Sequence, residues 1–300
     1  MTRRAFSEKP TAQFLSDGRR LHLQHGPIDL VLEACGDTGE VTLAYDQAKA
    51  AFETVLAELV SELPRLRSSE GPSPQGAIAR SMHAATQAYA PEFITPMAAV
   101  AGSVADAILK AMLKNRRIDR AYVNNGGDIA LHLAEGHFRV GICDDPVTGS
   151  PGGTVLLQPE DGIGGIATSG WRGRSHSLGI ADAVTVLAAT AARADAAATM
   201  IANKVDLPGS AKIVRETASA LSPDSDLGDL MVTTGVAPLA PAEIEAALEN
   251  GDRAARTYLE RGLAGAVYLA LAGERRTVTA NRGTVLPTNK TNILREAVCA

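Results

Sequence analysis

The sequence predicts an α+β fold in which antiparallel strands pack against helices. Three observations carry this. Phe52, Val55, Leu56, Leu59, Val60 and Leu63 recur at the helical period, and Met97, Val100, Val104, Ile108 and Met112 do so again. Between residues 121 and 142, three short alternating segments follow one another too closely for parallel crossovers, as antiparallel strands do. No strand runs into GxGxxG at the opening of a helix, which argues against a Rossmann dinucleotide site.

The elements follow in order. Asp29–Glu33 and Val41–Ala44 flank the turn Cys35-Gly36-Asp37-Thr38-Gly39 and read as a hairpin. Asp46 is placed to cap the first helix, and Pro64 ends it. Thr95-Pro96 opens the second, with proline at the first helical position. A row of small residues, Ala98, Ala101, Gly102 and Ala105, runs beside its apolar stripe. A glycine inside a helix costs about 0.8–1 kcal/mol against alanine, so Gly102 implies close approach by backbone or ligand. Ala121–Val123, Ile129–Leu133 and Phe138–Ile142 read as strands, as do Thr154–Leu157, Ile166–Ser169 and Ala183–Leu187. Arg193–Val205, Pro241–Asn250 and Arg253–Arg261 read as helices. Val267–Leu271 and Thr277–Ala280 read as a closing hairpin, with a loose tail beyond Arg282. The polar stretches Ser68–Pro74 and Ser222–Asp229 are loops rather than linkers. One domain over residues 1–300 is therefore expected.

Composition excludes several classes. Hydrophobic residues make up 45% and charged residues 21%, as in ordinary globular proteins. At a net charge of −5 with no basic face, the chain lacks the electrostatic footprint of a nucleic-acid binder. No uninterrupted apolar run reaches the ~18–20 residues of a membrane span. The start, MTRRAFSEKPTAQF, has no apolar stretch after its arginines, so the expected location is the cytoplasm. Cys35, Cys143 and Cys299 have neither pair nor metal spacing and read as three free thiols.

Three segments carry chemistry. Asn124-Asn125-Gly126-Gly127-Asp128 is either a tight turn or a backbone cradle for a nucleotide. The run from Gly164 to His176 includes Thr168, Ser169, Gly170, Arg172, Arg174 and Ser175. It is either a polar loop or a phosphate site, since arginine forks and backbone amides suit phosphate and a histidine moves protons near neutral pH. Asp195 and Thr199, with Asn203 extending the row, lie on one helix face. A carboxylate and a hydroxyl there suit Mg²⁺, or the aspartate complements a helix dipole.

Taken together and in order, these pieces resemble the ApbE family of FAD:protein FMN transferases, over residues 95 to 205. Its Ala-Lys-Gly-x-x-x-Asp helix start is similar to Val100-Ala101-Gly102-Ser103-Val104-Ala105-Asp106. Its V-N-x-G-G-D turn is similar to Val123–Asp128, its T-S-G strand to Thr168–Gly170, and its A-D-A-x-x-T helix to Ala194–Thr199. Ser175-His176, Val184-Thr185-Val186, and Phe138–Ile142 with Asp145-Pro146 also fall in the family's order. The resemblance implies an ApbE-like, T-fold-related arrangement of antiparallel sheets and helices. It also implies FAD and Mg²⁺, with the metal held by Asp195, Thr199 and the main-chain oxygen of Val100. Gly102, Asp106, Asn125, Gly126, Gly127, Asp128, Thr168, Ser169, Gly170, Arg172 and Ser175 would bind the flavin nucleotide. His176 and Asp182 would be catalytic. The reaction would be FMN transfer to a serine or threonine of a protein acceptor, or cleavage of the FAD diphosphate. Two departures stand out. The family's helix lysine is Ala101, and its D-P-x-T-G loop after the histidine is replaced by Ser177–Asp182, with Asp182 as the substitute carboxylate. A flavin-binding module without catalysis, and an enzyme acting on an unrelated substrate, are the alternatives. The Gly/Ala-rich helices leave room for a homodimer.

Overall fold

A computed structural model describes residues 9–145 and 147–279. The C-terminal tail, the first eight residues, Pro146 and Cys299 lie outside the described residues. The architecture is α+β, and the strands pair antiparallel. The chain divides into two compact units. The first holds residues 1–136, 162–167 and 189–196, and the second holds residues 137–161, 168–188 and 197–300.

The first unit begins with strands β1 (Thr11–Phe14), β2 (Leu21–His25) and β3 (Ile28–Cys35). The helices α1 (Thr38–Ser61), α2 (Leu63–Leu66), α3 (Ala77–Gln87) and α4 (Val100–Leu113) follow, then β4 (Arg120–Asn125) and β5 (Asp128–Leu133). The strands lie in the order β1-β2-β3-β4-β5, and Ile166 and Gly165 of β8 (Gly165–Ser169) pair with Ile129 and Ala130. Alternation sets which face is buried. Leu21 and Leu23, Leu30 and Leu32, and Ala121 and Val123 point into one core with Phe52, Val55 and Leu56 of α1 and Val104, Ile108 and Met112 of α4. Each fully buried leucine there contributes about 1.5–3 kcal/mol.

The second unit contains the hairpin β6 (Phe138–Asp145) and β7 (Ser150–Leu157), then β9 (Ala183–Ala188). The helix α5 (Ala191–Lys204) starts in the first unit and ends in the second. It is followed by β10 (Ile213–Thr217), α6 (Ala218–Leu221), β11 (Met231–Val236), α7 (Pro241–Glu260), β12 (Ala266–Leu271) and β13 (Glu274–Thr279). β12 pairs with both β9 and β13, and every residue of β9 and β12 is buried.

Several sequence expectations need correction. Val41–Ala44 is helical, not the second arm of a hairpin, because Asp37 rather than Asp46 caps α1 and accepts the amides of Gly39 and Glu40. The strand before it pairs with β2 and β4 instead. Residues 241–260 form one helix rather than two. α3 and the pairs β1–β2 and β10–β11 are absent from the sequence reading, although Ile78, Met82 and Ala85 recur at the helical period and Leu21 and Leu23 alternate. Cys35 is disulfide-bonded, against the reading of free thiols, whereas Cys143 is free. The stretch Pro96–Leu113, interrupted by Asp106 and Lys110, is long and apolar enough to cross a membrane by length and composition only, and half of it is buried within the protein, with Val104, Ile108 and Met112 in the core. A 3₁₀ turn at Pro96–Ala99 opens that stretch, so the proline-initiated start holds.

Candidate functional site

The first unit brings two helix N-termini together. Gly102, in the first turn of α4, sits where a Cβ would lie 2.3 Å from the main-chain oxygen of Ala191, the first residue of α5. Only glycine permits that contact, which accounts for a residue that otherwise weakens the helix. Each helix N-terminus carries unpaired amides and a partial positive charge, so two of them side by side need negative charge between them. The sequence supplies it from opposite directions. The amides of Gly102, at 3.0 Å, and of Ala101 donate to the Asp195 carboxylate on α5. The amides of Ala191 and Ala192 donate to Asp106 on α4, at 3.0 and 2.9 Å. Each helix is thus capped by an aspartate of the other.

The β4–β5 turn joins this arrangement. Asn125 pairs with Asp128 across it, and Gly126 and Gly127 have φ values of 65° and 118°, as a two-residue primed turn requires. The Gly127 amide donates to Asn124 Oδ1 at 2.8 Å. The buried Asn125 donates through Nδ2 to the Ala101 carbonyl at 3.1 Å, which ties the turn to the α4 N-terminus. Asp128 lies close enough to act electrostatically on Asp195. Burial, then the charge of Asp128, pushes the Asp195 carboxyl well above the usual carboxylate range, against the amides of Gly102 and Ala101 that lower it. Asp195 nevertheless keeps partial surface access. Burial also raises Asp106, again opposed by its two amides. A carboxylate that resists ionisation and keeps access suits a cation, which would offset both the desolvation and the Asp128 charge. Among the described residues, no group of three or more His, Cys, Asp and Glu side chains forms a metal cluster. A cation here would rely on main-chain and hydroxyl oxygens as well, as Mg²⁺ commonly does.

The second unit holds the other predicted residues. Gly170 is packed so closely that a Cβ would lie 2.4 Å from the Asp182 main-chain oxygen. The loop after it is exposed from Arg172 to His176. Its base is held by one carboxylate. Asp182 Oδ1 accepts Trp171 Nε1 at 3.3 Å and Arg172 Nε at 2.9 Å, while Oδ2 accepts the Ala272 amide at 2.6 Å. Asp145 faces Arg172 Nη1 at 3.5 Å, and the guanidinium lies 5.0 Å from the Trp171 ring centroid. The far end of the loop is held by Asn203, whose Oδ1 accepts the Leu178 amide at 2.9 Å and the Ser177 hydroxyl at 3.3 Å. Thr168 Oγ1 meets Thr185 Oγ1 at 2.8 Å.

The predicted residues therefore fall into two groups. Val100, Gly102, Asp106, Asn125, Gly126, Gly127, Asp128 and Asp195 belong to the first unit. Thr168, Ser169, Gly170, Arg172, Ser175, His176, Asp182 and Thr199 belong to the second. Thr199 stands one turn beyond Asp195 on α5. Sequence reasoning missed the group around Asp144. Its Oδ1 accepts the Tyr268 hydroxyl at 2.5 Å and its Oδ2 accepts Arg275 Nε at 2.7 Å. With about 124 and 131 residues between the partners, no local signal links them. The hint available was Gly152, where a Cβ would strike the Asp144 carboxylate and the Tyr268 hydroxyl.

Residues 12–277 match the family model described as AbpE bacteria. The "UPF0280 protein" of Methanocorpusculum labreanum is 36% identical over 155 residues, covering 50% of this chain and 65% of that one. That of Methanoregula boonei is 34% identical over 167 residues, covering 53% and 68%. That of Methanococcus vannielii is 40% identical over 113 residues, covering 37% and 45%. The chain thus spans roughly half to two thirds of the length of these curated relatives. Among solved structures, the apbe protein of Thermotoga maritima is 15% identical with a TM-score of 0.37, covering 81% of this chain and 76% of that one. The apo form of the Pseudomonas stutzeri flavinyl transferase ApbE is 13% identical with a TM-score of 0.36, covering 91% and 95%.

Proposed function

We propose that this chain, which belongs to the ApbE-like family described as AbpE bacteria, is a flavin-nucleotide protein that takes FAD with Mg²⁺ and cleaves its diphosphate. The FMN moiety passes either to a serine or threonine of a protein acceptor or to water. The observation that carries the reading is Asp195, a partly accessible carboxylate raised by burial and by Asp128 at the meeting point of two helix N-termini. Asp195, with the main-chain oxygen of Val100 at the α4 start, would hold the cation. The cation would neutralise charge building on the diphosphate. The chain's own contribution is positioning. Amides at the α4 N-terminus fix Asp195, and the Gly126-Gly127 turn is exposed at the surface. In the second unit, Arg172 is preorganised by Asp182 and Asp145, and the exposed His176 is the candidate proton carrier. Asp182 is engaged by three donors and so serves to hold the loop rather than to accept a proton.

A second reading is a flavin carrier without turnover. It is favoured by Ala101 standing at the family's lysine position and by His176 lying in an exposed loop. One experiment separates the two. Purified protein is incubated with FAD and Mg²⁺, AMP and FMN are followed by chromatography, and Asp195→Ala is run beside it. AMP from the wild type and none from the variant supports cleavage. FAD bound without AMP supports the carrier. Absence of FAD binding sinks both.

A further inference from the structure

We infer that Asp106 is a positioning residue, one that sets the Asp195 carboxylate through the start of α5 without touching ligand. The inference rests on the reading of Asp195 as the cation's carboxylate. Asp106 accepts two successive amides, Ala191 on Oδ1 and Ala192 on Oδ2, so both of its oxygens are committed to the first turn of α5. Asp195 stands one turn further along that helix and returns the same bond to the first turn of α4. The four residues from Gly102 to Asp106 rise about 6 Å, as do the four from Ala191 to Asp195. The two aspartates and the two first turns thus form a closed ring of hydrogen bonds with matching arms. Two close contacts leave α5 no other seat. A Cβ on Gly102 would lie 2.3 Å from the Ala191 oxygen, and one on Gly165 would lie 2.1 Å from the Ala191 amide nitrogen. Ala191 is itself fully buried in the core of this unit.

This ring separates two roles that a capping aspartate usually combines. As a cap, Asp106 stabilises α5, and any good cap would do the same. As a tether from α4, it decides where α5 begins, and only a residue on α4 can do that. Thr190 provides the distinction. It is exposed, precedes α5, and already accepts the Arg193 amide on Oγ1 at 3.3 Å. An aspartate there caps α5 from the residue just before the helix and restores the helix without restoring the tether to α4.

The test uses the full chain as wild type, Asp106→Ala, and Asp106→Ala combined with Thr190→Asp. Mg²⁺ affinity is measured by calorimetry, and thermal midpoint and amide exchange are measured without cation. The expected result is a loss of Mg²⁺ affinity of tenfold or more in both variants, with the midpoint recovered in the double variant only. Exchange at Ala101 and Gly102, whose amides rest on Asp195, should be faster in both variants. The inference is overturned if the double variant binds Mg²⁺ like wild type, or if Ala101 and Gly102 stay protected in it, because Asp106 is then only a cap. If wild type binds no Mg²⁺, the cation reading fails, and the exchange at Ala101 and Gly102 still decides the tether. Should Asp106→Ala fail to fold, Asp106→Asn, which keeps one acceptor and the shape, takes its place with the same readouts.

Discussion

Replacing Gly102 by alanine sets two known effects against each other. In a helix open to space, glycine to alanine stabilises by about 0.8–1 kcal/mol. Here the new Cβ would lie 2.3 Å from the Ala191 oxygen and 2.7 Å from the Ala192 nitrogen, both backbone atoms that no rotamer can move aside. Ordinary contact begins near 3.4 Å, so the start of α5 must retreat by about 1 Å in a close-packed interior. Overpacking of this kind costs typically 1–3 kcal/mol. The bonds from Gly102 to Asp195, and from Ala191 and Ala192 to Asp106, lengthen with it, and each is worth about 0.5–1.5 kcal/mol. The sum is a net destabilisation of roughly 2 kcal/mol or more. Urea unfolding of wild type and Gly102→Ala, followed by far-ultraviolet circular dichroism, measures it. A lower midpoint at unchanged slope supports the account. A variant as stable as wild type, or more stable, refutes it, because α5 would then not be seated against Gly102.

Three further outcomes are expected. Tyr122, whose hydroxyl faces Glu33 at 3.4 Å, is pushed up to about 12 by burial and then by the Glu33 charge. A raised acid favours the folded state below its unfolded value, so its contribution is present below pH 10 and is lost as pH rises toward 12. The stability of Tyr122→Phe should fall less steeply over that window, and identical alkaline profiles for the two proteins would contradict the shift. Trp171 is the one tryptophan of the chain, so its emission reports the loop directly. Asp182→Ala removes the acceptor of Trp171 Nε1 and the partner of Arg172, and should red-shift the emission and increase quenching by acrylamide. An unchanged spectrum would show that Asp182 does not hold the loop. Gly152→Ala should destabilise by about 1–3 kcal/mol, because its Cβ would strike Asp144 and Tyr268. Thermal unfolding measures this, and a neutral result would mean that the Asp144 group yields easily.

Much of this protein was legible in the linear order of residues. The helical stripe from Phe52 to Leu59 and that of α4 are set by a period that needs no partner to be seen. The strands β4 and β5 likewise follow from local alternation, β9 and β12 from short apolar runs, and the Gly126-Gly127 turn from its paired glycines. The glycine in α4 announced a close approach. What the sequence did not say was to what: only the fold shows that the approach is to the Ala191 carbonyl, 89 positions away in number but adjacent in space. The same holds for Asp195 and Asp106. Sequence spacing offered Mg²⁺ or the dipole of Asp195's own helix, whereas the tertiary structure gives each aspartate to the N-terminus of the other helix. Local sequence determines which backbone groups a helix end leaves unpaired. Which side chain answers them depends on packing, because a hydrogen bond of about 3 Å is indifferent to how far apart its partners lie along the chain.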